Sequence, residues 1–170
     1  MASILNVDQI NNAAGTSAIT IDSSGNALMA GHVVQVVQTV HTATTDITST
    51  SEVEYSGITT SITPKATGSH ILCKVVLSGS NNHNGGLWYE TFLRNPSNLV
   101  QDQRIYFDSQ YEVIGPRPFY DIIDTTATTA GSARTYKVFI KTSAGATGLF
   151  RLNWAGGNTA SSMTLMEIAQ

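Results

Sequence analysis

No stretch of this chain is long enough for a surface helix and also carries apolar residues at helical spacing. Short apolar runs and period-two alternation recur instead, separated by turn-forming clusters, and this confines the chain to strands. Residues 134–142 show it best: Tyr136, Val138 and Ile140 alternate with Thr135, Lys137, Phe139 and Lys141. The same reading predicts strands over 33–42, 52–58, 60–64, 69–77, 87–94, 103–108, 119–124, 149–153 and 162–168. Turn clusters are expected at 63–68, 78–86, 95–98, 115–118, 125–132, 143–148 and 155–160. Many short strands joined by polar turns make an all-β, antiparallel sandwich or barrel.

Composition agrees. Charged residues are only 12% of the 170, yet 41% are hydrophobic and the net charge is −3, so disorder is disfavoured. The 17 serines and 22 threonines supply the polar surface that charges normally supply. The nine basic residues are scattered and outnumbered by acids, which argues against nucleic acid as a partner. No apolar run reaches the ~20 residues of a membrane-spanning helix, so membrane insertion is not expected. The start has neither a basic n-region nor an apolar h-region, and Cys73 is unpaired, so synthesis in a reducing cytoplasm is expected. Cys73 shares a strand face with Ile71, Val75 and Leu77 and reads as a small buried hydrophobe.

The first 30 residues differ in character, with no aromatic and no basic side chain. Residues 1–32 are expected to be an extended segment that anchors the chain through Ile4, Leu5, Val7, Ile10, Ile19 and Ile21. Residues 33–170 form the head. Within the head, some strands are apolar on both faces. Leu87, Tyr89 and Leu93 oppose Trp88 and Phe92, and Met163 and Leu165 oppose Met166 and Ile168. An antiparallel sheet buried on both faces needs a second covering layer, either another subunit or the chain's own loops.

Chemistry is sparse. There is no nucleophile elbow, no phosphate loop and no His-Glu-x-x-His. The histidines, His32, His41, His70 and His83, lack ligand spacing, so no metal and no cofactor is expected. Glu52, Glu54, Asp121 and Asp124 read as a solvated edge or as cross-strand partners of Lys or Arg rather than paired catalytic acids. An enzyme is therefore not expected. Trp88 and Tyr89 follow an Asn-, His- and Gly-rich turn containing His83 and Asn84, and Trp154 sits in a similar setting. These aromatics suit either a sugar-binding surface or the plugged end of a sandwich core.

Ile4-Leu5-Asn6-Val7-Asp8-Gln9-Ile10-Asn11-Asn12, then 15–26, resembles the opening of short virion proteins of tailed bacteriophages. Ser61-Ile62-Thr63-Pro64-Lys65, Ser69-His70-Ile71-Leu72, Arg134-Thr135-Tyr136-Lys137-Val138 and the ending 161–170 are similar to strands of their C-terminal domains. The resemblance implies a jelly-roll head of the C1q and tumour-necrosis-factor type, with two sister chains around one axis as a homotrimer. It implies a virion-surface protein whose residues 1–32 dock on another virion protein: a short fibre or tail-tip knob for host attachment, with a cell-surface glycan as the possible ligand. A capsid decoration protein is the alternative, and a free-standing lectin-like module a further one. The family's ligand loops vary too much to transfer binding residues.

Overall fold

A computed structural model describes residues 7–23, 25–81, 87–95, 98–107, 113–143, 149–154 and 159–170. Its elements are β1 (Gln9–Asn11), β2 (Ser17–Ile21), β3 (Ala27–Leu28), β4 (Val33–His41), β5 (Thr45–Ile47), β6 (Val53–Glu54), β7 (Thr60–Ile62), β8 (His70–Asn81), β9 (Leu87–Asn95), β10 (Asn98–Phe107), β11 (Val113–Asp124), β12 (Arg134–Thr142), β13 (Phe150–Leu152) and β14 (Ser161–Ile168). A single 3-10 turn, Ser56–Ile58, separates β6 from β7.

The head is two antiparallel sheets. One runs β4-β14-β8-β11, with β13 continuing along the upper part of β8 and β5 beyond it. The other runs β10-β9-β12, closed by the short β6 and β7. The head strands pair in nested order: β4 with β14, β7 with β12, β8 with β11, and β9 with β10.

Side chains of alternate parity from both sheets meet in one core. Ile71, Cys73, Val75, Leu77, Phe150, Met163 and Leu165 come from the first sheet; Ile62, Tyr89, Leu93, Tyr136, Val138 and Ile140 come from the second. The rings of Tyr89 and Phe150 meet across the gap at 4.4 Å between centroids. Burial pushes the hydroxyls of Tyr89, Tyr120 and Tyr136 well above the usual phenol range.

Two carboxylates enter this interior with specific partners. Glu167 is fully buried. It accepts hydrogen bonds from the backbone N–H groups of Lys65 and Ala66, the Ser69 hydroxyl and the Gln35 amide, at 2.7–3.0 Å. Asp124 accepts from Asn95 Nδ2, the Tyr136 hydroxyl and the Thr126 N–H, with Arg134 at 3.7 Å. The other acids named from the sequence hold surface cations: Glu52 on Arg94, Glu54 on Lys137 and Asp121 on Lys74.

Several sequence expectations need correction. The predicted turn at 115–118 lies inside β11. Pro116 and Pro118 are tolerated because β11 is an edge strand, paired among the described residues only to β8 and bulged between Ile114 and Arg117 and between Pro118 and Tyr120. The expected strand 52–58 breaks at the 3-10 turn. The short β5 was not anticipated.

Described from Val7 onward, the N-terminal segment is not one extended run. It folds as the meander β1-β2-β3, reversing at Gly15 and Gly25, both at positive φ. Its residues are mostly exposed, so it has no core of its own. Two backbone hydrogen bonds tie it to the end of β14, Gly31 N to Ala169 O and Ala169 N to His32 O.

Candidate functional site

The head has a base and a tip. At the base, Val33 of β4, Ile168 of β14 and His70 of β8 stand in register beside the N-terminal meander. At the tip lie Asn81 of β8, Leu87 of β9, Phe107 of β10, Val113 of β11, Thr142 of β12 and Ser161 of β14. These are the strand ends that flank residues 82–86, 108–112, 144–148 and 155–158. These segments are thus all bounded at the end of the head opposite the N-terminal meander. His83 and Asn84 lie outside the described residues, as do Ile4 and Leu5.

The candidate aromatics separate. Tyr89 is core, with its hydroxyl on Asn81 Oδ1 at 3.0 Å, and does not face a ligand. Trp154 is 44% exposed at the tip. Trp88 is half-buried on the outward face of the second sheet, beneath the Arg104 guanidinium at 4.2 Å from the ring centroid. Tyr106 pairs with Trp88 across β9 and β10 and is 60% exposed. The sequence reading missed Tyr106; its parity with Arg104 and Asp102 on one strand was the available signal.

That outward face explains the two-faced strand β9. Phe92 is only 8% exposed, although it points away from the core. Arg94 and Lys141 cover it at 5.6 and 4.9 Å from the ring centroid. Neither a loop nor a second subunit is needed there.

Trp154 is presented by a buried polar cluster. Asn153 takes a left-handed backbone, φ 53°, which Asn tolerates better than most residues. Its Nδ2 donates to His41 O at 2.9 Å, Ala43 O at 3.2 Å and the Tyr55 hydroxyl at 2.6 Å. Ser161 Oγ donates to its Oδ1 at 2.7 Å and fixes the amide orientation. The Tyr55 hydroxyl accepts from Asn153 and lies 2.8 Å from His41 Nδ1, a hydrogen bond whose direction follows the imidazole tautomer. Burial raises the Tyr55 hydroxyl above the usual phenol range, and the Ser161 and Asn153 hydrogen bonds oppose this. The cluster fixes a loop; none of its members forms a nucleophile–base pair open to substrate, since Tyr55, Asn153 and Ser161 are buried.

Gly57 completes the arrangement. A Cβ there would stand 2.4 Å from His41 Nδ1 and 2.5 Å from its Cγ. Gly57→Ala is therefore expected to displace the imidazole and cost about 1–3 kcal/mol, read by denaturant unfolding.

The anchor residues are brought together in part. Ile10 and Ile19 are direct cross-strand partners, and Ile21 follows Ile19 on the same face. Val7 precedes β1 and is half-buried.

No protein-family model matches this chain, and no curated protein matches it. Among the described residues no helix is long and apolar enough to cross a membrane.

Proposed function

We propose that this chain is a surface protein of a tailed-bacteriophage particle. It forms a short homotrimeric knob, docks on another virion protein through residues 1–32, and presents a jelly-roll head that attaches to the host surface. The observation that carries the reading is the base-to-tip polarity. The apolar, weakly packed meander is tied to one end of the head, and every strand end flanking the candidate loops lies at the other. Such a layout separates mounting from contact.

The nested pairing of first strand with last, inward to β9 with β10, is the order a rolled-up hairpin would give and supports the jelly-roll class. The outward face of the first sheet supports sister chains. Val36, Met166, Leu72 and Ile123 form one continuous cross-strand row on it, with Val40, Ser162 and Val76 in a parallel row nearer the tip. Val36, Val40 and Ile123 are exposed in the single chain. Between the two rows the same face carries Gln38, Thr164 and the Lys74–Asp121 pair.

Light scattering is expected to give a mass about three times the 18.1 kDa of one chain. Leu72→Glu places a charge in the apolar row without entering the core and is expected to yield monomers. A monomeric wild-type chain would sink the trimer. For the function, an antibody to the chain is expected to label particles, and excess full chain to slow their adsorption to host cells. Absence of the chain from particles would end the virion reading.

A further inference from the structure

We infer that the Tyr106–Trp88–Arg104 cluster on the outward face of the second sheet is a binding site for an acidic saccharide. The inference deepens the attachment reading and rests on it for the source of the ligand.

Three observations carry it. First, Tyr106 is exposed, and among the described residues neither its ring nor its hydroxyl has a partner. It stands opposite Trp88 on the neighbouring strand, which places the two aromatic side chains side by side on one face. With Trp88 lying beneath Arg104, the open ring is that of Tyr106, on which a pyranose buries its C–H face beside the guanidinium while its hydroxyls remain accessible.

Second, hydrogen-bonding groups of both signs stand in the next cross-strand row, Arg104–Glu90–Lys141. Glu90 is held by Lys141 at 2.9 Å, whereas Arg104 reaches it only at 3.5 Å and keeps its side chain 58% exposed. The Lys141–Glu90 pair is closed, and Arg104 is left with most of its planar donor fork unused. That fork fits a carboxylate in bidentate geometry. Glu90 offers acceptor oxygens for neighbouring sugar hydroxyls.

Third, the charge balance selects the ligand class. Arg104 and Lys141 are matched by Glu90 and Asp102, so the face carries no net charge, and it is the open Arg104 fork that takes a single carboxylate. Asp102, two residues from Arg104, faces the same side. One carboxylate per sugar suits this balance, whereas a phosphate chain would meet Glu90 and Asp102. A uronate unit fits and a nucleic-acid strand does not. The cluster also lies toward the tip, with Leu87 and Phe107 as the next cross-strand pair.

The test uses the full chain, oligogalacturonate and its carboxyl-reduced neutral counterpart as probes, with binding measured by calorimetry. Wild type is expected to bind the acidic oligomer better than the neutral one. Tyr106→Ala is expected to weaken both by about tenfold, and Arg104→Gln to weaken the acidic oligomer by about tenfold while leaving the neutral one unchanged. Both residues are exposed, so unfolding is not a competing explanation; Trp154→Ala serves as a tip control and is expected to change neither affinity. Equal binding of the two oligomers, no binding at all, or indifference to Tyr106→Ala and Arg104→Gln would overturn the site. Adsorption of particles to host cells, measured with the same variants, separates the two claims. Adsorption that persists while saccharide binding is absent removes this site but keeps attachment; loss of attachment competence in wild type removes the wider reading.

Discussion

Glu167→Gln is expected to lower stability by about 3 kcal/mol, with a fall in melting temperature of roughly 6–12 °C for a domain of this size. The carboxylate is fully buried and receives only donors: two backbone N–H groups, a hydroxyl and an amide. A glutamine presents its own NH2 to one side of this donor set, so at least one buried N–H loses its acceptor. Burial by itself would raise the Glu167 carboxyl, but the Lys65 and Ala66 N–H groups, Ser69 and Gln35 outweigh it and hold it below the usual value of 4.5. The sign of the pH dependence follows. A carboxyl lowered in the folded state contributes its full stability above pH 4.5 and loses it as pH falls through the folded value. Wild type should therefore weaken below about pH 4.5, and Glu167→Gln should show a shallower decline over the same range. Glu54→Gln is the contrast. It removes a half-exposed pair with Lys137 and is expected to cost about 1 kcal/mol or less. Equal effects of the two substitutions would contradict the role given to Glu167.

Asn153→Ala is the second large effect, expected at about 4 kcal/mol. The substitution removes the amide that satisfies His41 O, Ala43 O and the Tyr55 hydroxyl, and the acceptor for Ser161 Oγ. It also places a Cβ residue without a polar side chain at φ 53°. Asn153→Gly separates the two causes. Glycine accepts the backbone angle but makes no hydrogen bonds, so it should recover only about 1 kcal/mol of the loss, as measured by chemical unfolding. Full recovery would mean that the hydrogen bonds contribute nothing.

These two residues also mark where the sequence was readable and where it was not. Tyr136, Val138 and Ile140 announced their burial because period-two parity is a local property, and the structure buries all three. Glu167 shares the inward parity of Met163 and Leu165, so a buried acid was foreshadowed, but its partners lie about a hundred residues away in the turn after β7. Asn153 is tied to His41 across 112 positions, and no local pattern reveals that pairing. Alternation already put Trp88 and Tyr89 on opposite faces, but not which face was inward; the structure sends Tyr89 into the core and leaves Trp88 outside under Arg104. The turn expected at 115–118 rested on proline content, which an edge strand with bulges accommodates. The N-terminal segment gave its apolar positions and the breaks at Gly15 and Gly25, but not the pairing of β1, β2 and β3 into a meander across them.

The backbone tie between His32 and Ala169 also decides how the head answers mechanical force. A pull on the N-terminal segment, with the far end of the sandwich held, enters the head in β4 at Val33. Between those points β4 lies antiparallel to β14, paired from Val33 with Ile168 to His41 with Ser161. Tension along that direction acts on the ladder in shear, so its hydrogen bonds share the strain and do not open one after another as in peeling. A sandwich loaded this way resists extension most strongly along the direction of its strands.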